Sequence, residues 1–151
     1  TGILAIGALL QGAKEEIFVD IDNEALQIAK ENYETTKKQY NIGKAEFINK
    51  NITNITEFCN SADTVIMNPP FGTKTKHADK EFLQTAFKTA PVIYSIHKTT
   101  TQKFIQAITQ DNNYKITHQW HYEYPLKNTM RHHSKKNRKI KITSYRLQQV
   151  Y

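Results

Sequence analysis

Asp63-Thr64-Val65-Ile66-Met67-Asn68-Pro69-Pro70-Phe71-Gly72 is the stretch whose reading decides the fold. Val65 to Met67 is a short apolar run with two β-branched residues, introduced by an acidic residue and closed by two prolines. Such a run reads as a buried strand of a parallel sheet, with Asn68 at its carboxyl end. Proline cannot donate to a ladder and fixes its own φ, so Pro69 and Pro70 stop the strand and stiffen the turn. Open α/β sheets bind ligands in the crevice beyond the carboxyl ends of their strands. An Asn held by two prolines and followed by an aromatic ring is therefore a preorganised site.

Those residue types suit one chemistry: methylation of an amine conjugated to a ring or a carbonyl. Such a nitrogen is a poor nucleophile because its lone pair is delocalised. The Asn68 side-chain oxygen and the Pro69 carbonyl can each accept a hydrogen bond from the NH2 group, favouring a tetrahedral nitrogen with its lone pair free to attack. Phe71 offers a flat face for an extruded base. The plainer reading is a strand-ending turn with a core Phe.

Asn68-Pro69-Pro70-Phe71 resembles the motif of the amino methyltransferases that use S-adenosylmethionine (SAM). The longer string through Gly72-Thr73-Lys74, then Lys76-His77-Ala78-Asp79-Lys80-Glu81-Phe82-Leu83, is similar to the methyltransferase-like branch that makes N6-methyladenosine in small-subunit ribosomal RNA, in its archaeal form. Val19-Asp20-Ile21-Asp22 and Tyr94-Ser95-Ile96-His97-Lys98 are further landmarks, so the resemblance covers nearly the whole chain. The tetrapeptide alone is shared by enzymes acting on adenine, guanine and glutamine.

The resemblance implies a Rossmann-like α/β fold: a doubly wound, mostly parallel sheet with a C-terminal antiparallel hairpin. Thr1-Gly2-Ile3 matches the end of the family's glycine-rich cofactor turn, so the expected fold lacks its first strand, at the centre of the sheet. Read without the family, Thr1 to Leu10 is a small-residue helix packed on a sheet. Glu16 to Asp22 reads as a strand ending in carboxylates, followed by a helix from about Asn23 to Thr36 with Ala25, Leu26, Ile28 and Ala29 on its apolar face. An acidic residue at the end of this strand commonly binds ribose hydroxyls, which gives Asp20 that role and leaves Asp22 to cap the helix. Ala45 to Ile52 reads as the next strand and its exit. The family usually has an acidic residue where Asn51 stands, accepting from the cofactor's adenine amine. Asn51 can accept through its amide oxygen without the charge, or be a loop residue, and Ile52 would lie against the adenine.

Beyond the motif, Asp79 reads as an N-cap for a helix from Lys80 to about Thr89, and Lys74, Lys76 and His77 form a polar loop able to hold phosphates. Pro91 to Ile96 reads as a strand, with His97 beginning a turn, and Lys98 at its end joins the residues expected to meet RNA. Tyr114 to Tyr124 and Lys139 to Leu147 alternate as two antiparallel strands, with Tyr114, Ile116, His118, Trp120, Tyr122 and Tyr124 along one face. Between them, Lys127, Arg131, Lys135, Lys136, Arg138 and Lys139 supply six basic residues and no acidic one, a loop suited to backbone phosphates.

The length of 151 residues predicts one domain, large enough for a sizeable core. The net charge of +7 is uneven: residues 1–68 carry −4 and residues 69–151 carry +11, which implies an anionic partner on one side, nucleic acid above others. That basic half disfavours a protein-glutamine substrate, while guanine N2 stays open beside adenine N6. A non-catalytic RNA-binding chain is the reading from another class. The single Cys59 allows no internal disulfide and no metal site of its own, so no metal is expected. The longest apolar stretch, Ile3 to Leu10, is too short to span a bilayer, and without a leader pattern the expected setting is cytoplasmic. The resemblance finally implies a small zinc-ribbon activator protein, docked along the sheet edge near Ala45 to Ile48.

Overall fold

A computed structural model describes residues 1–55, 62–70, 78–126 and 138–150. The chain divides into two compact units, Thr1–Asn60 and Ser61–Tyr151.

The first unit runs α1 (Ile3–Leu10), β1 (Glu15–Asp20), α2 (Asn23–Gln39), β2 (Lys44–Asn49) and a short 3-10 turn (Ile52–Asn54). β1 and β2 pair in parallel from Glu15↔Lys44 to Asp20↔Asn49, so both strands end together. A parallel pair needs a crossover, and α2 supplies it. Asp22 caps α2, its carboxylate accepting from the backbone N–H of Glu24 at 2.9 Å and of Ala25 at 3.4 Å. Leu26, Ala29 and Tyr33, spaced three and four apart, are the buried stripe of that helix. They meet Leu9 and Phe18, and Phe18 stacks on Phe47 with ring centroids 4.6 Å apart. The helix runs three residues past the expected Thr36, because Lys37 and Lys38 complement the negative end of its dipole.

The second unit runs β3 (Thr64–Met67), α3 (Ala78–Thr89), β4 (Val92–Lys98), a 3-10 turn (Thr99–Thr101), α4 (Gln102–Asp111), β5 (Tyr114–Leu126) and β6 (Arg138–Gln149). Its strands lie in the order β3-β4-β6-β5, β3 parallel to β4 and the rest antiparallel. One face of this sheet presents Met67, Ile93, Tyr145 and Leu147 to Leu83 and Ala86 of α3 and to Ile105 and Ile108 of α4. Tyr114 closes that core: its hydroxyl donates to the carbonyls of Phe87 at 3.0 Å and Ala90 at 2.8 Å, tying the end of α3 to β5.

The elements follow the α/β expectation, with parallel strands joined through helices and a C-terminal antiparallel hairpin. Among the described residues the strands form two sheets, and β1 and β3 each pair on one side only. Three local readings change. α3 begins at Ala78, so Asp79 is inside the first turn; its carboxylate accepts from its neighbour Lys80 at 3.0 Å. β4 continues through His97 to Lys98, because β6 lies alongside and pairs His97 with Thr143 and Lys98 with Ile142. A register shift between Ile116 and His118 puts Tyr114 and Ile116 on the core side and turns His118, Trp120, Tyr122 and Tyr124 to the opposite face.

Candidate functional site

In the first unit Asp20 ends β1, Asn51 and Ile52 follow the end of β2, and the turn from Thr1 to Ile3 lies against Phe18 of β1 and Ala29 of α2. Gly2 precedes α1 with φ 71°, a left-handed conformation. A Cβ there would come within 2.8 Å of Phe18 Cε1 and 2.9 Å of the Ala29 methyl. Only glycine tolerates both the dihedral and the approach, so the turn seats directly on β1 and α2. The Asn32 side chain donates to the Thr1 carbonyl at 3.0 Å, anchoring the turn from α2. Among the described residues no side chain caps α1, and its first amides have no intrahelical acceptor. Ile3, the first helical residue, is exposed.

Asp20 ends β1 with its carboxylate accepting from the Asp22 N–H at 3.0 Å, and stays half-buried. Asn49, opposite it in register, was not among the expected residues. Its amide donates to the Asp20 carbonyl at 3.1 Å and to the Ile21 carbonyl at 3.0 Å, fixing the turn that carries the carboxylate. An Asn at a strand end two positions before the expected Asn51 was the only signal for it. Ile21, directly beyond Asp20, leaves 70% of its surface in solvent. Asn51 caps the 3-10 turn: its amide oxygen accepts from the Thr53 N–H at 3.1 Å and from the Thr53 hydroxyl at 3.2 Å. The oxygen expected to receive an adenine amine therefore already accepts twice, which matches its lone pairs. Ile52 begins that turn and is half-buried. The donor set of this unit fits a nucleoside, with a carboxylate for ribose hydroxyls beside apolar surface for a base.

In the second unit β3 ends at Met67 and delivers Asn68 to the surface. Pro69 behind it is fully buried, while Pro70 is exposed. A buried ring on one side of an exposed amide holds the Asn68 backbone without covering its side chain. Phe71, Lys74, Lys76, His77, Lys127, Arg131, Lys135 and Lys136 lie outside the described residues. Arg138 opens β6, and Lys98 closes β4 at the same end of the sheet as Asn68. Lys139 pairs with Glu123 across the hairpin at 3.1 Å, both groups exposed, an interaction that salt screens.

His97 is 1% exposed inside β4, its Nε2 hydrogen-bonded to the Ser95 hydroxyl at 2.6 Å. Burial lowers its pKa to about 4, with the Asp79 carboxylate pulling the other way. The imidazole is thus neutral near pH 7 and belongs to the core rather than to phosphate binding. Further along the sheet, partly buried, Thr143 Oγ1 meets Thr99 Oγ1 at 2.9 Å and His121 Nδ1 at 3.0 Å.

Residues 1–96 match the family model of the methyltransferase small domain. The chain is 35% identical over 144 residues to the zebrafish (Danio rerio) rRNA N(6)-adenosine-methyltransferase METTL5, covering 93% of this chain and 68% of that protein. It is also 35% identical over 159 residues to an uncharacterized protein of Methanocaldococcus jannaschii, covering 99% and 70%. The crystal structure of PH1948 from Pyrococcus horikoshii superposes with a TM-score of 0.84 at 36% identity, over 99% of this chain and 71% of that one. No helix among the described residues is long and apolar enough to cross a membrane.

Proposed function

Because the chain belongs to the methyltransferase small domain family, we propose that it transfers a methyl group from SAM to the exocyclic N6 amine of an adenosine in structured RNA, small-subunit ribosomal RNA above others. The observation that carries the reading is Asn68, exposed at the carboxyl end of β3 and backed by the buried Pro69. The similarity to METTL5, whose own substrate is rRNA adenosine, supports the choice of base. The cofactor supplies an electrophilic methyl group when bound.

Everything else falls to the chain. Asp20, steadied by Asn49, holds ribose hydroxyls in the first unit, with Gly2 seating the turn from Thr1 to Ile3 and Ile52 lending apolar surface. Asn68 and the Pro69 carbonyl accept the two amine hydrogens, which turns the nitrogen lone pair away from the ring and frees it to form the new N–C bond. The methylated ammonium is strongly acidic and sheds its extra proton to water, so no general base is required. That is consistent with a neutral, buried His97. Phe71 stacks the extruded base, and the basic residues from Lys127 to Lys139 hold phosphates.

The partners are RNA and a small zinc-ribbon activator. β2 pairs only with β1 among the described residues, so its outer side offers an unsatisfied row of backbone groups to an added strand. The test is to incubate the protein with isotopically labelled SAM and ribosomal RNA, digest to nucleosides and separate them. Label in N6-methyladenosine is expected. Label in N2-methylguanosine overturns the choice of base.

A further inference from the structure

Trp120, Tyr122 and Tyr124 occupy successive same-face positions on β5 and leave 39%, 51% and 56% of their surfaces in solvent. The bulge between Ile116 and His118 puts them there: without it the alternation begun by Tyr114 and Ile116 would carry them to the core side. Opposite them on β6 lie Ser144, Ile142 and Ile140, which add a small and apolar floor rather than a charged one. His118 and Trp120 already stand face to face, with planes 9° apart and centroids at 5.5 Å. Same-face residues on a strand repeat at about 6.7 Å. That is twice the 3.4 Å rise of stacked bases, room for one base between neighbouring rings.

The location within the unit gives the surface its use. The last β4 pairing is Lys98↔Ile142, yet β5 and β6 continue through four more pairs, Glu123↔Lys141 to Leu126↔Arg138. This two-stranded arm overhangs the carboxyl end of β4 by about 13 Å. β3 runs parallel to β4, so Asn68 emerges at that same end, three strand spacings from β5, or about 14 Å. By the register Lys115 and Arg146 share the aromatic face of the described hairpin, where no carboxylate stands, while Lys139, Lys141 and Glu123 lie on its other face. Flat rings in a cationic strand pair are what single-stranded nucleic acid recognises: stacking for bases, ammonium groups for phosphates.

We propose that the aromatic face of β5 is a stacking platform for unpaired RNA bases flanking the nucleotide presented to Asn68. This rests on the RNA methyltransferase reading and names the form of RNA it takes, a single-stranded segment rather than a duplex. A duplex keeps its bases paired and offers the rings nothing to stack on.

Trp120 is the only tryptophan in the chain, so it reports directly. The full chain is titrated with a fluorophore-labelled single-stranded oligoribonucleotide, and separately with the same strand annealed to its complement. Label anisotropy and tryptophan emission are followed together. The expected result is quenching of Trp120 by the single strand along the same isotherm as the anisotropy, and none by the duplex. Tyr122→Leu and Tyr124→Leu, which keep apolar bulk without a stacking plane, weaken binding about tenfold each. Tyr122→Phe and Tyr124→Phe bind as the parent. If single-stranded RNA binds with Trp120 unquenched and the Leu variants unimpaired, the platform is overturned while the RNA reading stands. If no RNA binds, both fall. If sedimentation shows a dimer that Tyr122→Leu dissolves, the face is an interface between copies and the platform is overturned.

Discussion

The Asn49 side chain donates to the Asp20 carbonyl at 3.1 Å, locking the end of β2 to the residue that ends β1. A second bond, to the Ile21 carbonyl at 3.0 Å, makes a clamp of it. Both acceptors belong to the turn that aims the Asp20 carboxylate. Asn49→Ala is therefore expected to weaken S-adenosylhomocysteine binding about tenfold, since each lost bond costs about 0.5–1.5 kcal/mol. The check is a calorimetric double-mutant cycle. In an Asp20→Ala background the same substitution is expected to cost almost nothing, because the clamp acts through Asp20. Full additivity of the two losses counts against this positioning role.

Asn68→Ala is expected to lower methyl transfer by about a hundredfold or more, the scale of losing one oriented polar group in a preorganised site. Cofactor affinity should hold, since the side chain serves the amine. Single-turnover rates beside equilibrium binding separate the two. A mutant that transfers methyl at the parent rate removes Asn68 from the mechanism.

His97 makes stability depend on pH in a defined window. Its folded pKa is depressed to about 4 from an ordinary 6.5, chiefly by burial, with Asp79 opposing. Between those values the unfolded chain binds the proton and the folded chain does not, so unfolding free energy rises with pH across the window. The contribution is complete above pH 6.5 and is lost as pH falls towards 4, in all on the order of 3 kcal/mol. Urea melts at half-unit steps from pH 7 to 4, with the His97 ring followed by NMR, measure it. A ring that titrates near 6.5 in the folded protein refutes the assignment.

Gly2→Ala should destabilise the first unit by about 2–5 kcal/mol. A left-handed φ costs an L-residue about 1–2 kcal/mol, and the new methyl meets Phe18 and Ala29 at under 3 Å, an overpacking of about 1–3 kcal/mol. The thermal melt of the variant reads the loss directly. A midpoint equal to that of the parent would mean the turn can move off β1 freely.

Replacing Lys135, Lys136 and Arg138 with Gln should weaken RNA binding and flatten its salt dependence by roughly one unit of slope for each lost phosphate contact. Lys139 already neutralises Glu123, so adding Lys139→Gln should change the slope by less than the others do. An unaltered slope across a salt titration moves the phosphate contacts elsewhere.

Much of this protein is written in short sequence windows. An apolar run stopped by two prolines makes β3 and delivers Asn68, because strand propensity and the missing proline N–H act within a few residues. Asp22 caps α2 through an interaction two to three residues long, and the alternation on either side of the basic loop suffices for a hairpin. Family membership is legible in the same way, through Asn68-Pro69-Pro70-Phe71 and the string that follows. What only the tertiary structure decided depends on partners far along the chain. His97 is a buried strand residue because β6, more than forty positions later, pairs beside it. Asn49 is a clamp because α2 returns β2 to the carbonyls of Asp20 and Ile21. Trp120, Tyr122 and Tyr124 face solvent because one extra residue at the Ile116/His118 bulge inverts an alternation that otherwise runs unbroken. Side-chain period is a local property, whereas register is set by whichever strand lies alongside, and a one-residue slip turns a whole face over.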